Sequence, residues 1–302
     1  MLKVNNSIIP KTGSDGKLLI IMPSGTIRIS YQGVTGAFSE QAAKQFCADS
    51  ETVGFPTFEE AFEATARGDC SYACLPVENS IAGSINQTYD LLTDSVLHVV
   101  GEQVVRVHHN LLAKPGVTLD SLQKVYSHPQ ALAQCQEFIR KHGLEAITDF
   151  DTAGAAKSLA KKGGEGRSAI ASKGAAETYG LEILAERIED RTFNYTRFFI
   201  LGPDEAPKSE GLNKTSFVLA TRHKPGSLVA CLEEFPKHGI NMTKLESRPR
   251  RDRPWSYLFY IDVEGHLEDE NLSAAMNGLM RKAAFVKYLG SYLAAPALVD
   301  LD

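Results

Sequence analysis

The sequence predicts an α/β chain that ends in a smaller α+β unit. Three observations carry this. Residues 27–202 alternate short apolar strands with helix-spaced segments, the pattern of largely parallel sheets. Residues 203–213, with Pro203 and Pro207, interrupt that pattern as a linker. From residue 214 the order becomes βαββαβ, a ferredoxin-like sandwich.

Residues 27–31 alternate and run into Gly33-Val34-Thr35-Gly36, with a helix over 37–46. Thr57 caps a second helix, with Phe58, Ala61, Phe62 and Thr65 at helical spacing. Residues 72–77 form an apolar strand that stops at Glu78-Asn79-Ser80. Residues 97–105 read as a strand, and 107–113 as a continuation of the same sheet. After a short strand at 124–127, Pro129 takes the first position of a helix. Leu132, Cys135, Phe138 and Ile139 form its buried stripe, and Gly143 is its left-handed cap. Asp151 caps a small-residue helix. A strand at 168–172, a helix at 173–179 ending at Gly180, and strands at 183–188 and 195–201 follow.

In the last unit a strand at 214–222 precedes one helix over 226–238, with Leu228, Cys231, Leu232 and Phe235 at helical spacing. Gly239 stops it. Strands at 240–245 and 257–263, a helix carrying Leu272, Ala275, Met276 and Leu279, and a strand at 285–292 complete the unit.

Composition narrows the function. The chain has 302 residues, 43% hydrophobic and 23% charged, which excludes general disorder. A net charge of −5, with 32 Lys+Arg against 37 Asp+Glu, argues against nucleic acid as a partner. The five scattered cysteines are an odd set and no disulfide framework, which points to a reducing, cytoplasmic compartment. Residues 1–26 read as a flexible leader. Their apolar run, 18–22, is too short for a membrane span or a secretory core.

No strong cofactor or metal signature is present. His108 and His109 are adjacent, so on a strand they face opposite ways and cannot share a metal. Gly33-x-x-Gly36 lacks the third glycine of a dinucleotide loop. Four polar clusters stand where strands end and helices begin: Gly33 to Ser39, Glu78 to Ser84, Ser127 to Gln130 with Gln134 one turn on, and Asp151 to Gly154. Each alone is explained by helix capping. Four together point to one cleft for an anionic ligand, outside the carboxyl ends of the strands. Thr196-Arg197 sets a hydroxyl and a guanidinium at the start of an apolar strand. It is either a strand edge or a neutral hydrogen-bond donor for a departing oxygen.

At these residues the sequence resembles the prephenate dehydratase family, which includes arogenate dehydratases. The motifs are Tyr31-Gln32-Gly33 with Gly36-Ala37-Phe38-Ser39, Leu75-Pro76-Val77-Glu78-Asn79-Ser80, Ser127-His128-Pro129-Gln130, Asp151-Thr152-Ala153 and Thr196-Arg197-Phe198. The C-terminal part resembles the ACT regulatory domain, with Gly226-Ser227-Leu228-Val229 and Glu246-Ser247-Arg248-Pro249. The first of these departs from the commoner Gly-Ala-Leu form. The resemblance spans about residues 28–292.

The resemblance implies a two-lobed catalytic domain over 27–202, like type II periplasmic binding proteins, and an ACT domain over 214–295. It implies a chain without a fused chorismate mutase and without a cofactor or metal. The reaction it implies is loss of water and carbon dioxide from prephenate to give phenylpyruvate, or from arogenate to give phenylalanine. By the family pattern Thr196 is the donor to the leaving hydroxyl, and Asn79, Ser127 and Gln134 hold or polarise the substrate. Thr35, Phe38, Ser39, Glu78, Ser80, Thr152, Arg197 and Phe198 are the expected substrate contacts, with Phe38 and Phe198 as an apolar wall. Glu78 reads as an acid or as a structural carboxylate. L-Phenylalanine is the expected effector, at Gly226, Ser227, Leu228, Val229, Glu246, Ser247, Arg248 and Pro249. A homodimer or homotetramer is expected, with no membrane partner. The rival class is a non-catalytic sensor on the same fold.

Overall fold

The computed structural model describes residues 10–12, 18–20, 26–250 and 256–296. Most of the expected leader and most of the polar loop at 250–253 lie outside the described residues. Within the leader, Pro10–Thr12 pairs antiparallel with Leu18–Ile20, where the sequence shows no pattern.

The chain divides into two compact units. One comprises Arg28–Ile85 and Gln103–Phe198. The other gathers Asn86–Glu102 with the described residues before Arg28 and from Phe199 onward. The segment 86–102, expected inside the catalytic span, therefore packs with the C-terminal part. Its bonds explain this. Lys287 donates to the carbonyls of Thr93 and Ser95, each at 2.8 Å, Lys214 pairs with the buried Glu102 at 2.8 Å, and Gly290 lies tight against Val99.

In the first unit, Glu51–Phe55, Arg28–Gln32 and Tyr72–Asn79 pair in parallel. Within this unit the same sheet continues through residues 195–198 and 103–106. A five-stranded sheet runs in the order Glu145–Thr148, Lys124–Ser127, Arg167–Ala171, Asn110–Ala113, Glu182–Ala185. Its first three strands are parallel and its last two antiparallel to their neighbours. Residues 107–109 carry no strand, so Asn110–Ala113 joins this second sheet and does not extend the strand before it, as the sequence suggested.

Sequence-marked caps are present. Thr57 accepts from the Glu60 N–H at 3.1 Å, the Asp151 carboxylate accepts from Gly154 N–H, and Gly143 and Gly180 adopt φ of 63°. Two helices expected as continuous are broken. The stripe from Leu132 to Ile139 spans Pro129–Gln134 and Gln136–Lys141, with Cys135 at φ −123° between them. The Gln134 carbonyl accepts from Asp190 N–H at 2.7 Å, and the Asp190 carboxylate caps the second piece at Glu137 N–H. The helix expected over 226–238 splits into Ser227–Leu232 and Glu234–Lys237. Pro236 has no N–H to return to the Leu232 carbonyl, which ends the regular ladder.

In the second unit, Met242–Pro249, Tyr257–Glu264, Asn213–Ala220 and Phe285–Leu293 form an antiparallel sheet in that order. With the helices, including Glu270–Lys282, this is βαββαβ. Phe217, Phe235, Ile261, Leu272 and Leu279 centre its core.

Candidate active site

The first unit collects one connected set of polar side chains. Asn79 ends a buried strand, and its Oδ1 accepts from the backbone N–H groups of Ile81 at 3.1 Å and Ala82 at 2.9 Å. That fixes its amide nitrogen in the other direction, since a backbone N–H only donates. Nδ2 shares its two hydrogens among Thr196 Oγ1 at 3.0 Å, Asn194 Oδ1 at 2.8 Å and the Tyr195 carbonyl at 3.1 Å. Thr196, 9% exposed, thus has its oxygen held by a donor while its own hydrogen meets no acceptor among the described residues. A hydroxyl in that state is a preset hydrogen-bond donor.

The set continues to Gln134, which the helix break places at the end of its segment. Its Oε1 accepts from Asn194 Nδ2 at 2.9 Å and faces His109 Nε2 at 2.8 Å. Its amide nitrogen is left without a protein partner among the described residues. Phe38 meets the His109 ring edge-on, with centroids 6.1 Å apart. Burial draws the His109 pKa below the ordinary imidazole value, against the opposing pull of Gln134 and Glu189. The residue remains neutral near pH 7.

Thr196, Asn79, Gln134 and Phe38 are therefore brought together. Other expected members are not. Ser127 is fully buried and donates its hydrogen to the Ile170 carbonyl at 2.7 Å, joining adjacent strands instead of facing a ligand. Phe198 is 1% exposed and belongs to the core, so it forms no wall of an open cleft. Ser80 is a brace: its hydroxyl donates to the Phe193 carbonyl at 3.1 Å and accepts from Tyr195 N–H at 2.9 Å. Ser39 is buried at the first turn of its helix, Thr35 is exposed, and its carbonyl accepts from Tyr179 at 2.7 Å. Thr152 opens its helix half-buried, and Glu78 and Arg197 are half-buried on their strands.

Asn194 and His109 complete the set without having been singled out as site residues. Asn194 lies two residues before Thr196, and that nearness was its only signal. His109 is considered in the sequence only as a metal partner of His108, a role that adjacency on a strand excludes. Among the described residues no group of three or more His, Cys, Asp or Glu side chains could hold a metal ion.

In the other unit a cavity of about 550 Å³ is lined by Arg222, Lys224, Gly226, Ser227, Leu228 and Val229, among others. Glu246, Ser247, Arg248 and Pro249 do not line it. Arg250, which follows that second motif, and Tyr257 and Phe259, the strand partners of Pro249 and Ser247, do line it. Arg248 instead donates to the Asn86 carbonyl and pairs with Asp90 at 3.0 Å.

Comparison with known proteins agrees with the motifs. The prephenate dehydratase family model matches residues 29–206. The chain belongs to the prephenate dehydratase family. It is 42% identical over 299 residues to Arogenate dehydratase/prephenate dehydratase 2, chloroplastic, of Arabidopsis thaliana, covering 95% of this chain and 78% of that one. Among solved structures, a prephenate dehydratase from Arthrobacter aurescens in complex with L-Phe is 30% identical with a TM-score of 0.81, covering 88% of this chain and 90% of that one. A second, GqqA, described as a novel type of quorum quenching acylase, is 36% identical with a TM-score of 0.82, covering 89% of this chain and 98% of that one. The family assignment makes the chain a dehydratase, a carbon–oxygen lyase. No helix among the described residues is long and apolar enough to cross a membrane.

Proposed function

We propose that this enzyme converts prephenate to phenylpyruvate, water and carbon dioxide, with Thr196 as the donor to the departing ring hydroxyl. The carrying observation is the Asn79 amide on Thr196 Oγ1, which leaves the hydroxyl hydrogen to a ligand. Hydroxide is a poor leaving group unless a donor is set on it. Aromatisation of the ring supplies the driving force, so the protein needs to orient, donate and exclude water. Gln134 Nε2 is a second open donor, suited to a substrate carboxylate or keto oxygen. Arogenate is the alternative substrate, and it would yield phenylalanine directly.

One structural neighbour is described as an acylase, which supplies a competing reaction. Amide hydrolysis needs a nucleophile or an activated water. All five cysteines are buried, and burial raises every one of their thiol pKa values, so none is a ready thiolate. The cysteines thus offer that reaction no ready nucleophile.

L-Phenylalanine, as effector, would take the cavity beside Gly226 and Ser227, where Arg222 and Lys224 offer charge to a carboxylate. This makes residues 214–295 the regulatory part and 27–202 the catalytic span. A dimer or tetramer would let Glu246–Pro249 of one copy approach that cavity in another. A cytoplasmic setting is the matching expectation. The test is incubation with prephenate, arogenate and an N-acyl amide in parallel, following phenylpyruvate, phenylalanine and free amine. Phenylpyruvate is expected as the fastest product. Turnover of the amide alone, or of none of the three, overturns the reading.

A further inference from the structure

The amide chain has one end set by backbone, and the consequence can be followed atom by atom to a histidine. Ile81 and Ala82 N–H groups hold Asn79 Oδ1, so Asn79 Nδ2 faces Asn194 Oδ1. Asn194 then presents its nitrogen to Gln134, and Gln134 Oε1 must be an acceptor. The ring atom 2.8 Å from that oxygen, His109 Nε2, must carry hydrogen. His109 is 3% exposed, and its Nδ1 is buried with no hydrogen-bond partner. Protonation at Nδ1 would place an unpaired donor and a charge in the interior. Its backbone N–H is held by the Glu189 carboxylate at 2.9 Å, which fixes the ring's base.

We infer that His109 is a positioning residue: neutral, with hydrogen on Nε2, it clamps Gln134 Oε1 beside Asn194 and so holds the Gln134 amide nitrogen as an open donor. The ring does not touch substrate; it acts through Gln134. This rests on the proposal that Thr196 and Gln134 are the donors that meet the substrate. A donor held from two sides keeps its aim, and a loosened one loses rate because orientation is part of the barrier.

The experiment compares kcat and KM for prephenate in the wild type, His109→Phe, His109→Gln, Gln134→Leu, the double variant His109→Phe/Gln134→Leu, and Thr196→Ala. His109→Phe keeps an aromatic ring, somewhat larger, and loses the donor. It is expected to lower kcat by about 10- to 100-fold. His109→Gln restores a donor at the Nε2 position and is expected to recover most of that loss. In the Gln134→Leu background, His109→Phe is expected to change kcat by less than about twofold, since groups acting as one unit are not additive. A purely structural role would give the same loss in both backgrounds. Nitrogen-15 shifts of the wild-type ring, which need no variant, should show a bare Nδ1 and a hydrogen-bearing Nε2. The inference is overturned by a His109→Phe kcat within about twofold of wild type, by an undiminished loss in the Gln134→Leu background, or by the opposite tautomer. If these fail while Thr196→Ala and Gln134→Leu are impaired, only the His109 role falls. If Thr196→Ala and Gln134→Leu turn over as wild type, the site reading itself falls.

Discussion

Thr196 and Ser127 are both buried hydroxyls in motif positions, and the structure gives them opposite duties. Thr196 receives a hydrogen bond and keeps its proton for a ligand, while Ser127 gives its proton to the Ile170 carbonyl. Thr196→Ala should cut kcat by about 10²–10³, as removal of one preset donor does, and Thr196→Ser should retain more. Ser127→Ala should leave kcat nearly unchanged and lower unfolding stability by about 1–2 kcal/mol. Parallel kinetics and denaturant unfolding check both halves; a dead but stable Ser127→Ala would reverse the assignment. The histidines add a pH signature. His109 is depressed below its ordinary 6.5 by burial. Below pH 6.5 the unfolded chain therefore binds more protons than the folded one. The stabilising contribution is full above that pH and is lost as pH falls towards the folded value. His128 is depressed in the same direction by burial. Unfolding free energy should decline on acidification below pH 6.5, and His109→Gln should shrink that slope. A slope identical in the variant would contradict it.

At the scale of elements, the Gly33–Ser39 turn shows why a short motif tolerates so little change. Gly36 has φ of 90°, donates its N–H to Glu40 at 2.6 Å, and its carbonyl accepts from Ser172 at 2.6 Å. A Cβ there would stand 2.6 Å from Ala175 Cα, the backbone of another helix. Gly36→Ala should cost about 2–4 kcal/mol in strain and overpacking, read as a lower midpoint in urea; an unshifted midpoint would show that the turn can move. The caps at Thr57, Asp151, Gly143 and Gly180 were legible because each is written in one residue type at one position. The breaks at Cys135 and before Pro236 were less so. A one-residue interruption barely disturbs the spacing of an apolar stripe, so Leu132 to Ile139 reads as one helix while the chain turns at Cys135. That turn is what frees the Gln134 carbonyl for Asp190 and ends the helix at the side chain the site uses. The polar network itself was half legible. Asn79, Gln134 and Thr196 lie in motifs, but their joining bonds span 60 residues and more of sequence and cannot be read from spacing.

For the molecule as a whole, the change from alternating strand and helix to βαββαβ announced the second architecture. What escaped the sequence was the allegiance of residues 86–102, which packs with the C-terminal part through Lys287, Glu102 and Val99. No composition change marks that segment, since its partners are chosen by tertiary contacts. Asn86–Thr93 begins one residue after Ile85, and Arg248 holds it by the Asn86 carbonyl and Asp90. An effector acts only through different affinities for two states. Arg248→Ala should therefore change the L-phenylalanine concentration needed for half-maximal effect, with a smaller change in kcat without effector. Activity titrations of wild type and variant measure it; superimposable curves would remove Arg248 from the response.

The bond between Ser80 N–H and the Tyr195 carbonyl, 2.9 Å long, bears on chemical ageing. Asparagine loses ammonia when the nitrogen of the following residue attacks its side-chain carbonyl. Here that nitrogen is engaged, and the Asn79 carbonyl is itself pinned by two N–H groups. The product of such decay, aspartate, accepts hydrogen bonds and donates none when ionised. It would claim the Thr196 proton and reverse the polarity of the site. The folded chain thus shields an amide whose decay would silence the site. Peptide mass spectrometry after heat storage should find Asn79 intact in folded protein and converted in unfolded protein; equal conversion in both would show that the backbone bond offers no protection.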